Sequence, residues 1–169
     1  FAWPDLKYVV INADDAFAPY FAERAHGHRL IRFGLEATAD VSAREIALDA
    51  GGSRFVLVTP QGEAQIALAM PGRHNVLNAL AAASLALGAG IALPTIAAGL
   101  NAAQPVAGRL NTHRLADGTT LIDDSYNANP GSLKAAIETL AASGGTNWLV
   151  LGDMRELGED AASLHAEVG

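Results

Sequence analysis

Between Val41 and Met70 the chain runs through VSAREIALDAGG, SRFVLVTPQG and EAQIALAMPG, three apolar-rich stretches broken at Gly-Gly, at Pro-Gln-Gly and at Pro-Gly. Glycine reaches backbone angles closed to other residues and proline fixes its own, so both punctuate a chain sharply. Short β-favouring runs separated by such breaks predict an antiparallel meander. On either side the texture differs. YVVINADD reads as a buried strand ending in a polar cluster, APYFAERA as a short helix and RLIRFG as a second strand, an αβ alternation. After the meander, HNVLNALAAASLALGAG predicts a helix closed by glycines, and LPTIAAGLNAA a second helix opened by proline. Both are alanine-rich and suited to close packing.

QPVAGR, residues 104–109, puts Pro and Gly between a helical and an extended pattern and reads as a boundary, dividing the chain into parts 1–106 and 107–169. Beyond it TTLIDD is strand-like, and NPGSLKAAIETLAAS helical with Asn129 or Ser132 as N-cap and Pro130 in the first turn. NWLVLGDM is again strand-like, and AASLHAEV begins one more helix. A strand–helix–strand order predicts a right-handed parallel crossover. The second part then holds about two strands where an open α/β sheet has roughly four to six, so a fragment of a longer protein is expected.

Composition limits the partners. The 169 residues are 50% hydrophobic and 17% charged, with a net charge of −7 and no cysteine. That is a globular balance, and its sign argues against a nucleic-acid surface. Without Cys there is no disulfide framework or thiolate metal site, compatible with a cytoplasmic address. No apolar window approaches the ~18 residues of a membrane span, and FAWPDLKYVV has neither the basic nor the long apolar region of a secretory signal.

Polar residues gather at two places that suit a ligand. In GRHNVLNALAA, residues 72–82, His74, Asn75 and Asn78 fall in or near the first turn of the expected helix, and the i, i+3 and i+4 spacings put Asn78 on one face with the other two. A helix N-terminus offers free N–H groups and a positive end, and amide side chains match a purine's donor and acceptor edge. Ordinary capping would use the same residues. The second place is TLIDDSYNANPGSL, residues 119–132, where Asp123 and Asp124 end a strand, the position at which open α/β sheets bind ligands. A carboxylate there can accept from ribose hydroxyls; an Asx-turn is the plainer alternative.

Arg109 at the boundary could clamp a phosphate with its planar fork or merely pair with a nearby acid. Asp153, in LGDMRELGED, follows a strand-like run and could face the same cleft. Asn12 to Asp15 read chiefly as turn and cap, and His26 and His28 as surface residues lacking a third metal ligand. There is no G-x-x-x-x-G-K-[ST] phosphate loop, G-x-G-x-x-G, G-x-S-x-G or H-E-x-x-H motif.

In order along the chain, GRHNVLNALAA, VAGRL, DDSYNANPGSLKAAIETL and VLGDMRELGED resemble the motifs of the ATP-dependent Mur ligases. DDSYNANP and GDMRELG resemble those of the branch that adds D-alanyl-D-alanine. The likeness runs from VINADD onward.

The resemblance implies an α/β chain. Its residues 1–106 would be the second half of a central ATPase domain, with parallel strands, a small antiparallel sheet and Ala-rich helices. Residues 107–169 would be the first part of a Rossmann-like C-terminal domain. It further implies that Asn75 and Asn78 read adenine, Arg109 contacts phosphate and Asp124 holds ribose. His74, Asp123, Tyr126, Asn127, Asn129 and Asp153 would face the substrate cleft. The catalytic groups, the phosphate loop and the metal-binding acids would lie upstream.

The implied reaction is ATP-dependent, with Mg2+, and joins D-alanyl-D-alanine to UDP-N-acetylmuramoyl-tripeptide through an acyl phosphate in peptidoglycan precursor synthesis. The expected enzyme is a cytoplasmic monomer, and this segment alone would be inactive. A sibling Mur ligase, a folylpolyglutamate synthase or a noncatalytic nucleotide-binding module are the alternatives.

Overall fold

The structure is a computed structural model that describes residues 7–49, 51–105, 108, 111–142 and 144–168. Strand β1 (Tyr8–Asn12) pairs in parallel with β2 (Arg29–Phe33), Val10 opposite Ile31, and helix α1 (Ala18–Arg24) makes the crossover between them. Alternation decides the faces. Val9 and Ile11 are buried and pack with Ala25 against Ala18, Ala22 and Leu30 on the α1 side, as period-2 side-chain geometry requires. On the opposite side lies helix α2 (Arg73–Gly88). It approaches so closely that a Cβ at Gly88 would stand 3.4 Å from Tyr8 Cβ and 3.5 Å from Ile31 Cδ1.

The meander forms as its turn residues require: β3 (Ser42–Asp49), β4 (Gly52–Thr59) and β5 (Gly62–Leu68) make an antiparallel sheet in that order. The β3–β4 register shifts between Arg44 and Ala47, and Glu45 there has φ 55°. This is a bulge that puts an extra residue in the edge strand. At Gly52 a side chain is impossible, since a Cβ would sit 2.3 Å from the Leu68 carbonyl oxygen on β5.

Phe55 and Leu57 of β4 and Ile66 and Leu68 of β5 meet Val76, Leu80 and Ala83 of α2. Leu93 and Ile96 of α3 (Leu93–Ala102) complete this main core. Buried polar atoms are satisfied: Ser84 Oγ donates to Leu80 O at 2.8 Å and Ser53 Oγ to Met70 O at 2.8 Å, as burial of a hydroxyl demands. Helix α3 closes the outer edge of the sheet, where Asn101 Oδ1 accepts from Ala67 N at 2.7 Å. Its own start is fixed by Gln61 Oε1, which accepts from Leu93 N at 2.8 Å.

The second part departs from the sequence expectation in two respects. Its two strands are β6 (Asn111–Arg114) and β7 (Thr120–Asp123), an antiparallel hairpin turning at Asp117 and Gly118. NWLVLGDM, expected as a strand, carries neither helix nor strand, and the parallel crossover does not close. A strand exists through its ladder, and among the described residues no strand pairs with this segment. Trp148 and Val150 consequently stand 84% and 95% exposed.

Helix α4 (Pro130–Ala142) follows β7, and α5 (Ala161–Val168) comes after a 3-10 turn at Gly158–Asp160. Asn129 takes the N-cap place: its Oδ1 accepts from Ser132 N at 2.9 Å, and Ser132 Oγ accepts from Asn129 N at 2.9 Å. This is a reciprocal box. An ion pair, Lys134 Nζ to Glu167 Oε1 at 2.6 Å, ties α4 to α5.

Candidate functional site

Helix α2 begins abruptly. Its N-cap is Gly72, at φ 97° and ψ 143°, with no side-chain cap and no acidic residue in the first turn. The turn is instead organised from within. Asn75 Nδ2 donates to Pro71 O at 2.7 Å, and Asn78 Nδ2 reaches Asn75 Oδ1 at 3.4 Å. His74 packs over Gly72, where a Cβ would lie 2.6 Å from His74 Cε1 and 3.1 Å from Thr139 Oγ1 of α4.

These side chains open onto a cavity of ≈ 580 Å³. Leu68, Met70, Ala79 and Leu100 form an apolar floor, while His74, Asn75 and Asn78 line one side. Across it stand Asp124, just beyond β7, and Gly131 and Ser132 at the start of α4. An apolar floor suits a planar heterocycle, paired amides suit its donor and acceptor edge, and a carboxylate suits vicinal hydroxyls. Burial lowers the His74 pKa and the Asp124 and Glu138 carboxylates push it up, with a net downward shift. A largely neutral imidazole therefore sits between the two parts of the chain at neutral pH.

A second cavity, ≈ 420 Å³, lies on the other side of His74 and is bounded by Asp14, Glu36, Leu48, Arg73, Ile122 and Glu138, among others. Asp14 accepts three backbone bonds, from Leu35 N at 2.6 Å, Ala37 N at 2.8 Å and Glu36 N at 3.1 Å. Desolvation raises its pKa, but those N–H groups and the Arg73 charge outweigh it and the net shift is downward. The rest of the cluster is turn chemistry, with Asn12 Oδ1 accepting from Asp14 N at 3.0 Å and Asp15 Oδ1 from Phe17 N at 2.7 Å. Glu36 in turn pairs with Arg73 at the start of α2.

Most polar groups of the 123–129 loop are used locally. Asp123 Oδ1 accepts from Ser125 N at 3.1 Å and Asn127 Oδ1 from Ala128 N at 2.8 Å, while Asn129 caps α4. Tyr126 N donates to Gly108 O at 3.0 Å, and its side chain is largely exposed. Asp153 is exposed in the segment before α5. Of the sequence-named residues, then, His74, Asn75, Asn78 and Asp124 line the same cavity, and Asp123, Tyr126, Asn127, Asn129 and Asp153 are not among its lining. Arg109 lies outside the described residues.

Sequence reading did not single out Glu36, Arg73, Glu138 or Thr139, because their significance depends on contacts between distant segments. Among the described residues no group of three or more His, Cys, Asp or Glu side chains could hold a metal ion, and no helix is long and apolar enough to cross a membrane.

Family comparison accounts for both parts. Residues 2–86 match the model of the Mur ligase middle domain, and residues 108–169 that of the Mur ligase, glutamate ligase domain. The UDP-N-acetylmuramoyl-tripeptide–D-alanyl-D-alanine ligase of Escherichia coli K12 is 40% identical over 167 residues, covering 98% of this chain and 37% of its own length. The enzyme of the same name from Mycobacterium tuberculosis H37Rv is 39% identical over 176 residues, covering 99% of this chain and 34% of the relative. The chain thus spans little more than a third of the relatives it matches.

A crystal structure of MurF from Acinetobacter baumannii superposes with a TM-score of 0.91 at 38% identity, covering 97% of this chain and 36% of that one. The MurF ligase of Thermotoga maritima, solved in complex with ADP, shares the fold with a TM-score of 0.82 at 23% identity, over 97% of this chain and 38% of that one. With one domain model matching residues 2–86, half of the chain, and the other residues 108–169, the chain belongs to the Mur ligase family.

Proposed function

We propose that this chain is the part of an ATP-dependent ligase that closes over the nucleoside, and that the intact enzyme joins D-alanyl-D-alanine to UDP-N-acetylmuramoyl-tripeptide. The observation that carries this reading is the cavity in which Asn75 and Asn78 on α2 face Asp124 beyond β7. In it Asn75 and Asn78 read the adenine edge, Asp124 accepts from the ribose hydroxyls, and the apolar floor carries the base. Arg109, beside the junction, is assigned to phosphate on the strength of the family motif alone. Residues 1–106 and 107–169 form the two jaws.

ATP supplies the phosphoryl group that activates the acceptor carboxylate. The residues present fit its nucleoside half. They do not fit Mg2+, for which the described residues offer no ligand cluster, so the ion's ligands lie outside them and no step of this chain is routed through it. What the chain contributes is binding, orientation and exclusion of water as the jaws meet. The location follows from the nucleotide: ATP is cytoplasmic, and a monomeric enzyme there suffices.

The test is steady-state kinetics of the intact ligase with Asp124→Ala. Losing a charge-assisted hydrogen bond of about 1.5–3 kcal/mol raises the KM for ATP about ten- to hundredfold. An unchanged KM removes Asp124 from the nucleotide site. A donor panel tests the substrate: preference for meso-diaminopimelate or glutamate over D-alanyl-D-alanine refutes the assignment. Calorimetric titration of the 169-residue chain with Mg-ATP is expected to show weak or undetectable binding.

A further inference from the structure

The nucleotide helix starts without the usual means of fixing a helix start. No side chain caps it and no acidic residue occupies its first turn, yet its first two turns carry the two amides assigned to adenine, Asn75 and Asn78. The missing anion comes from elsewhere in the chain. Glu36 pairs with Arg73, the first residue of α2, and so brings a carboxylate to the positive end of the helix. Glu36 has 75% of its side chain exposed and contributes nothing to the core, so its placement depends on the loop that bears it.

Gly34 N donates to Val41 O at 3.1 Å and Leu35 packs on the main core, but the backbone N–H groups of residues 35–37 converge on one side chain. Asp14, two positions beyond β1, accepts from three successive backbone N–H groups, those of Leu35, Glu36 and Ala37. The fit is close: a Cβ at Gly34 would lie 2.8 Å from Asp14 Oδ1, so only glycine lets the loop wrap the carboxylate. With both oxygens committed to these bonds, Asp14 is poorly suited to serve as a ligand for substrate or metal.

We propose that Asp14 is a positioning residue for the nucleotide site: through the 34–37 loop it aims Glu36 at Arg73, and that ion pair fixes the first turn of α2 with Asn75 and Asn78 in register with Asp124. The inference rests on the nucleotide reading above. It places a determinant of ATP affinity at the end of β1, outside the nucleotide cavity.

The test uses the intact ligase, with phosphate release followed against ATP concentration. ATP-dependent turnover of the unmodified enzyme is measured first; its absence would sink the functional reading itself, whatever the variants do. Given turnover, Asp14→Asn, which offers one acceptor oxygen where two are used, raises the KM for ATP about three- to tenfold with kcat within about twofold. Glu36→Arg and Arg73→Glu each do the same, and the double exchange Glu36→Arg with Arg73→Glu brings KM back to within about twofold of the unmodified enzyme. A purely structural loop would lower the melting temperature without moving KM and would gain nothing from the charge exchange. Either result overturns the proposal. Should Asp14→Asn fail to fold, the two surface variants and their combination decide the matter alone.

Discussion

Replacing Gly72 by alanine isolates the turn on which the site is built. At φ 97° and ψ 143° this residue occupies backbone space that is nearly reserved for glycine, and holding an L-residue there costs about 1–3 kcal/mol. The new methyl would also stand 2.6 Å from His74 Cε1, 2.9 Å from His74 Nδ1 and 3.1 Å from Thr139 Oγ1. The imidazole must rotate away, adding about 1 kcal/mol for an off-rotamer or lost contact. The total is about 2–4 kcal/mol, a large share of the roughly 5–15 kcal/mol that stabilises an ordinary domain. Urea denaturation followed by circular dichroism reads it directly. With a slope of about 2 kcal/mol per molar, the middle of the usual range, the midpoint falls by about 1–2 M at constant slope. Gly99→Ala is the control, since nothing lies within 4 Å of a Cβ there and the position is inside α3; it is neutral or stabilising by up to about 1 kcal/mol. A Gly72→Ala midpoint within about 0.2 M of the unmodified chain would refute the reasoning.

Leu80→Ala removes a fully buried side chain from the centre of the main core and costs about 3–5 kcal/mol by the same denaturation assay. Asn129→Ala deletes the cap of α4 and costs about 1 kcal/mol, seen as a small fall in melting temperature. His74 gives a pH signature. Its pKa in the folded chain lies below the ordinary 6.5, so between the two values the unfolded chain binds more protons and stability rises with pH. The contribution is complete above about pH 6.5 and is lost as pH falls through the lowered value. Melting curves between about pH 7.5 and 5 show a steeper acid loss for the unmodified chain than for His74→Asn; parallel curves would count against it.

How much of this was legible in the sequence depended on whether the deciding contact was local. The meander could be read because Gly-Gly, Pro-Gln-Gly and Pro-Gly act on their own neighbours, and the Asn129–Ser132 box because a capping motif closes over three residues. The β6–β7 hairpin went unread although its Asp-Gly turn is a local signal. The strand expected at NWLVLGDM failed for the opposite reason, since β-favouring residues state a preference while the ladder needs a partner that local sequence does not specify. At the site, spacing alone placed Asn75 and Asn78 on one face of α2. That Asp124 would face them came from the family's motif order. The bond between Glu36 and Arg73, 37 residues apart, leaves no mark in the pattern of either segment.

Sheets that end on an open strand invite neighbours to add to them, and proteins commonly answer with a proline, a bulge or an inward lysine. The meander answers with an amide. By taking the Ala67 N–H onto Asn101 Oδ1, helix α3 supplies a counterfeit of the next strand's carbonyl, and β5 is left without a docking register at that point. At this point of the border a polymerising contact therefore meets an N–H already taken, and Asn101→Leu is the substitution that would free it.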